Sequence, residues 1–217
     1  LLHVYDPPQL PGDAHEADGP DGNGERVSRL IRVSAYLTDT NVADPGSQVV
    51  ILGKNSVIDN IGDPAARDGE GGAVSCDDNG TPITDCLPVD GPSHAIGTLR
   101  FGIDGSLFVG NGDSSPFFVA DTRSLRAQDL DSLAGKVLRI DPQTGAGYDD
   151  NPFYDGDPTS NRSRVWSLGM RNPFRFTIHP QTNEPFIGDV GWETWEEINT
   201  GRGANFGWPC YEGDDSG

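Results

Sequence analysis

The chain contains no run of about 18 consecutive apolar residues, so it offers no candidate transmembrane helix. Basic residues are scarce: 15 Lys and Arg stand against 34 Asp and Glu, a formal charge of -19. A surface of that sign repels phosphate backbones, which argues against nucleic acid as a partner and leaves divalent cations and neutral substrates. An acidic surface is also a common solubility device. Cysteine is sparse, with 3 residues and no CxxC or Cys-His spacing, so zinc is not indicated. Long amphipathic helices are missing too, and the 29 Gly and 17 Pro instead favour many short strands joined by turns. No signal peptide is visible; the chain opens with LLHVYDPP and stops in the polar EGDDSG, and both ends are expected to continue in a longer protein.

Cys76 and Cys86 bracket the turn-rich loop DDNGTPITD. A disulfide there would pin the loop and fit a secreted or periplasmic protein, whereas three reduced thiols would fit a cytosolic one. Cys210 is left over, which points to a partner beyond residue 217. From Val27 to Leu52, apolar and polar residues alternate on either side of a long turn, the pattern of a hairpin in an early blade. The preceding Pro7 to Glu25 reads as a surface loop. Its DGPDGNGE stretch has the oxygen density of a calcium loop without EF-hand spacing. Residues 53–92 form a loop-rich insertion, long enough to suggest a purpose such as roofing an active site.

Beyond residue 92 the strand signals crowd together. LRFGIDGSLFVG and, later, FRFTIHPQTNEPFIGDVG share one plan: apolar alternation, a turn, apolar alternation, then glycine. Between them KVLRIDPQTG supplies a strand and turn, and SRVWSLGMRNP an inner strand that introduces the second hairpin. The helical candidates are short, Leu125 to Leu133 and Thr194 to Ile198. Repeated hairpins with polar residues at their ends predict an all-β fold, a β-propeller whose functional groups gather at one mouth.

The ordered motifs SHAIGTLRFGIDGSLFVGNGD, LAGKVLRIDP, LGMRNPFRF, GDVG, WEEIN and NFGWP carry a family likeness. Together, across residues 93–213, they resemble the glucose/sorbosone dehydrogenase family. The resemblance implies a six-bladed propeller that uses pyrroloquinoline quinone (PQQ) and calcium (Ca2+) to oxidise an aldose sugar. At about 40 to 60 residues per blade, roughly three blades are present and the remainder of the propeller is missing. By the same resemblance His94 is the general base and Asp113 the carboxylate that orients it. Imidazole suits that task because it exchanges protons near neutral pH. Arg171 and Asn172 match the pair that contacts the cofactor, a guanidinium fork beside an amide. Gly191 and Trp192 match a turn whose carbonyls hold the catalytic calcium, with Val190 where some members supply a side-chain amide. Glu197 and the Phe206 carbonyl match a second, structural calcium.

Read without the resemblance, a lone histidine is commonly structural, Arg171 has many acidic residues to pair with, and Glu197 makes an ordinary surface charge. The resemblance favours oxidation of an aldose at C1 to its lactone, with electrons passed to an unidentified acceptor. The 217 residues alone are not expected to turn over sugar. A calcium-binding propeller used for adhesion or ligand binding is the alternative. A calcium-dependent lactonase would need a central set of carboxylates that the sequence does not offer.

Overall fold

A computed structural model describes residues 2–5, 27–35, 42–62, 74–91, 93–116, 120–213 and 215–216. The DGPDGNGE stretch lies outside the described residues. Strands β1 (Leu2–Tyr5), β2 (Val27–Ala35) and β3 (Ala43–Leu52) form an antiparallel sheet in that order. Two register shifts interrupt the β2–β3 ladder, between Leu30 and Ile31 and between Arg32 and Ser34. A small hairpin of β4 (Asp77–Asp78) and β5 (Thr81–Pro82) follows, closed by the Cys76–Cys86 disulfide.

The central sheet is β6 (Ile96–Phe101), β7 (Leu107–Asn111), β8 (Lys136–Ile140) and β9 (Val165–Leu168), antiparallel and in sequence order. A third sheet holds β10 (Pro173–Ile178), β11 (Pro185–Asp189) and β12 (Glu197–Asn199). The pair β13 (Tyr211–Glu212) and β14 (Asp215–Ser216) ends the described chain. The protein is all-β, and its three larger sheets are blades of a partial β-propeller.

Alternation along the central strands decides how the blades stack. Leu107 and Val109 of β7, Leu138 and Ile140 of β8, and Val165 and Leu168 of β9 pack with Leu30, Ile51 and Leu52 of the first sheet. The intervening Phe108, Val137 and Trp166 turn the other way and pack with Phe176 and Ile187 of the third sheet. Successive strand residues face opposite sides, so a sheet covered on both faces buries every position. That is why LFVGN, KVLRI and VWSL are buried throughout. Phe108 and Trp166 meet edge to face, with ring centres 5.4 Å apart. Gly110 lets the third sheet approach, since a Cβ there would lie 3.0 Å from the Pro173 carbonyl oxygen.

Three local expectations are corrected. The strand in SRVWSLGM does not open the second hairpin's sheet; β9 pairs with β8 and closes the central one. Val165 and Leu168 are drawn into that sheet's own core, while β10 starts the next blade. Thr194 to Ile198 is not helical, because the ladder pairing of Asp189 with Glu197 captures its second half as β12. In place of Leu125 to Leu133, a 3-10 helix covers Thr122–Gln128, N-capped by the Asp121 side chain, which accepts from the Arg123 N–H.

Candidate functional site

Antiparallel pairing brings the functional segments to one end of the blades. His94 precedes β6 and Asp113 follows β7; Ile96 pairs with Asn111, so the two lie just past the end of one ladder. Arg171 and Asn172 precede β10 and Val190 follows β11, just beyond the pairing of Pro173 with Asp189. The opposite end carries the turns around Gly105 and Asn183.

His94 and Asp113 make a buried pair. Nδ1 of His94 lies 2.9 Å from Oδ1 of Asp113. A carboxylate accepts, so Nδ1 donates and the lone pair falls on Nε2, which makes no hydrogen bond among the described residues. The close approach depends on Gly112, where a Cβ would fall 2.5 Å from the His94 carbonyl oxygen. His94 itself adopts a φ of 55°, a left-handed conformation costing about 1–2 kcal/mol in a residue with a side chain. The Ser114 N–H, donating to the His94 carbonyl at 3.1 Å, holds that conformation in place.

Asp113 is fixed from every side. Its Oδ1 also accepts from the Ser115 N–H at 3.0 Å, and its Oδ2 accepts from the Trp208 indole N–H at 2.8 Å. Its own N–H donates to the Arg171 carbonyl at 2.8 Å. Its carbonyl accepts from Arg126 at 3.2 Å, and Arg126 also pairs with Asp90 at 2.5 Å. Through that ion pair the disulfide-bearing insertion reaches the site.

Arg171 sits beside this pair. Its N–H and that of Asn172 donate to the two oxygens of Asp189, at 3.0 and 2.6 Å. Burial pushes Asp189 up to about 7, and the two N–H bonds act against that rise by favouring the carboxylate. The Arg171 guanidinium lies 5.1 Å from the ring centre of Trp192 and 5.6 Å from that of Trp208. Burial draws its pKa below the ordinary arginine value, with Asp113 and Asp189 pulling the other way. One of its nitrogens donates to two carbonyls, Val190 at 3.2 Å and Gly191 at 2.8 Å. The N–H groups of the same turn face Glu212, whose carboxylate accepts from Trp192, Glu193 and Thr194.

The structure thus brings together His94, Asp113, Arg171, Asn172 and Gly191, with Trp192 beside Arg171. Glu197 and Phe206 are engaged separately. Glu197 accepts from the Gly213 N–H at 2.5 Å and from the Asn199 amide at 2.9 Å. The Phe206 N–H donates to the Leu168 carbonyl at 3.0 Å, and its side chain packs on the Phe108 cluster. Among the described residues, no group of three or more His, Cys, Asp and Glu could hold a metal ion.

Four participants escaped the motif reading: Trp208, Asp189, Arg126 and Lys136. Trp208 and Asp189 lay inside quoted motifs, but nothing local shows that an indole at the end of one loop reaches a carboxylate 95 residues earlier. Lys136 did carry a signal, a lysine at the head of β8 directly before the apolar Val137 and Leu138. It is fully buried, which draws it down to about 7. Its ammonium donates to the carbonyls of Arg126, Ala127 and Ala134 at 2.9, 2.9 and 2.6 Å. Those bonds end the 3-10 helix and hold Arg126 against Asp113.

An apolar cavity of about 310 Å³ lies elsewhere, between the first and central sheets, where Leu30, Ile51, Leu99, Phe101 and Leu107 line it. Leu107 begins β7 and Asp113 follows its far end, so the cavity is not the site of these polar groups.

Residues 81–216 match the family model described as Glucose / Sorbosone dehydrogenase. Over 118 residues the chain is 36% identical to aldose sugar dehydrogenase YliI of Escherichia coli (strain K12), covering 54% of this chain and 29% of that protein. The HIPL2 protein of Arabidopsis thaliana is 33% identical over 138 residues, covering 56% of this chain and 19% of its own length. The chain therefore spans less than a third of these curated relatives. A solved structure of a glucose dehydrogenase aligns over 96% of this chain and 45% of its own, with a TM-score of 0.54 and 22% identity, a likeness in fold.

Proposed function

The chain belongs to the glucose/sorbosone dehydrogenase family, and on that premise we propose that it carries the base and part of the cofactor site of a PQQ-dependent aldose sugar dehydrogenase. The whole enzyme oxidises an aldose at C1 to the lactone and hands the electrons to a separate acceptor. This chain contributes three blades of a six-bladed propeller. The observation that carries the reading is the buried His94–Asp113 pair, with Nε2 unengaged among the described residues and Arg171 alongside.

His94 takes the proton of the anomeric hydroxyl on Nε2, and Asp113 steadies the imidazolium that results. Arg171 and Asn172 bind the oxygen-rich edge of the cofactor. The donor set fits such a group: a buried guanidinium, a neighbouring amide, two indole faces, and a buried Ser93 hydroxyl that has no partner among the described residues. The turn also fits a cation in its carbonyls, because those of Val190 and Gly191 converge on one positively charged nitrogen of Arg171. These carbonyls would hold calcium, and Arg171 would remain beside them to meet the cofactor. Gly191 and Trp192 stay the proposed backbone ligands and Val190 would join them, while the Trp192 ring lies against Arg171 and its N–H donates to Glu212. For a second, structural ion the candidates stay the Glu197 carboxylate, which here accepts from Gly213 and Asn199, and the Phe206 carbonyl. Bound PQQ supplies the two-electron acceptor for the C1 hydride, and calcium supplies a Lewis acid beside it.

The Cys76–Cys86 disulfide supports a secreted or periplasmic setting. Among the described residues no helix is long and apolar enough to cross a membrane. The test is reconstitution of the intact protein. Aldoses reduce a redox dye only when PQQ and calcium are both present. Sugar or calcium binding without any dye reduction would instead favour the adhesion module.

A further inference from the structure

The geometry points to Trp208 as a positioning residue that sets the tautomer and aim of His94 by holding the far oxygen of Asp113. The inference rests on the sugar-oxidising reading above for its consequence, and on contacts alone for its substance.

A carboxylate held at one oxygen can still turn about its Cβ–Cγ bond, and its partner imidazole turns with it. Asp113 is held at both. Oδ1 takes the His94 Nδ1–H and the Ser115 N–H, at 2.9 and 3.0 Å, and Oδ2 takes the Trp208 indole N–H at 2.8 Å. All three partners of this relay, His94, Asp113 and Trp208, are buried, so water does not readily replace a lost donor. Without the indole N–H, Oδ2 is a buried oxygen lacking a donor. The carboxylate then rotates towards another, drawing Oδ1 off the imidazole and releasing the preference for Nδ1–H.

Trp208 is itself well anchored. Its main-chain N–H donates to the Gly169 carbonyl at 3.0 Å, and its main-chain carbonyl accepts from the Gln128 amide at 2.6 Å. The same ring faces the Arg171 guanidinium at 5.6 Å. One side chain therefore ties the proton-accepting pair to the cofactor-binding arginine, and fixes their relative placement through rigid contacts. Towards the base, Trp208 acts only through the Asp113 carboxylate, so its contribution there is orientation.

The test compares the intact protein with Trp208→Phe, and with a second variant carrying 3-benzothienylalanine at position 208. The latter keeps the indole's shape and replaces only its N–H. Histidine-labelled protein is followed by nitrogen NMR, with the His94 signals identified by their loss in His94→Ala. The wild type is expected to show the Nδ1–H tautomer, and both variants a mixture of tautomers with a weakened Nδ1–H signal. In the reconstituted enzyme, kcat falls about 10-fold with KM for sugar changed less than about threefold, as expected for a misaimed base. An unchanged tautomer in the benzothienyl variant overturns the inference. Should His94→Ala prove fully active, the sugar-oxidising reading fails separately, and the tautomer comparison still decides what Trp208 does.

Discussion

His94→Ala is expected to lower aldose-dependent dye reduction by about 10²- to 10⁴-fold, the usual contribution of a general base. The loss should fall on kcat as well as kcat/KM, because proton removal belongs to the transition state more than to sugar binding. His94 Nε2 is the reason: its partner nitrogen is committed to Asp113, and its own lone pair is unengaged among the described residues. A purely structural histidine predicts something different. Its removal would lower the melting temperature and leave turnover per folded molecule intact. The φ of 55° at this position calls for a control, since alanine tolerates the left-handed region poorly. His94→Asn tolerates that backbone better and still lacks a base; it should be as inactive as the alanine variant. Full activity in the asparagine variant would remove His94 from the chemistry.

Phe108→Ala is expected to destabilise the protein by about 3–5 kcal/mol, measured by urea unfolding. Phe108, the second residue of β7, is fully buried; it meets Trp166 of β9 and packs with Phe176 and Ile187 of the third sheet. Removing the ring leaves a void that close-packed neighbours fill only in part. The consequence extends to the site, since β7 leads to Asp113 and β10 follows Arg171. Loosening the interface between these blades should weaken cofactor retention even though no ligand-facing residue has changed. A loss below about 1 kcal/mol would mean that the two sheets do not depend on this contact.

Much of this architecture was legible in the sequence, and the parts that were not share a physical cause. The hairpins around LRFGIDGSLFVG and FRFTIHPQTNEPFIG stand out because turn residues are local signals, and β6–β7 and β10–β11 pair across those turns. SRVWSLGM was misplaced because a strand buried on both faces carries no alternation to say which sheet it joins. Its partner β8 lies across a long loop, and only the core of Val165 and Leu168 settles the matter. Likewise TWEEI has helical composition, but a ladder partner at Asp189 overrides it.

The site divides along the same line. His94 and Asp113 stand near enough in sequence for a motif to hold both. Trp208 reaches Asp113 only through the closing of blades, and Arg171 reaches the Val190 and Gly191 carbonyls only through the fold. The sequence assigns that turn to a metal, and in the structure its Val190 and Gly191 carbonyls accept from Arg171.

The most direct measurement is a spectroscopic titration of PQQ into the intact protein with calcium present, repeated for Arg171→Ala and Arg171→Lys. The account predicts saturable binding to the wild type and at least about tenfold weaker binding to the alanine variant, a loss of about 1.4 kcal/mol or more. Lysine should restore little, because it keeps the charge and loses the planar fork. Equal affinity in all three proteins, or no binding to the wild type, would contradict the assignment of this end of the blades as a quinone site.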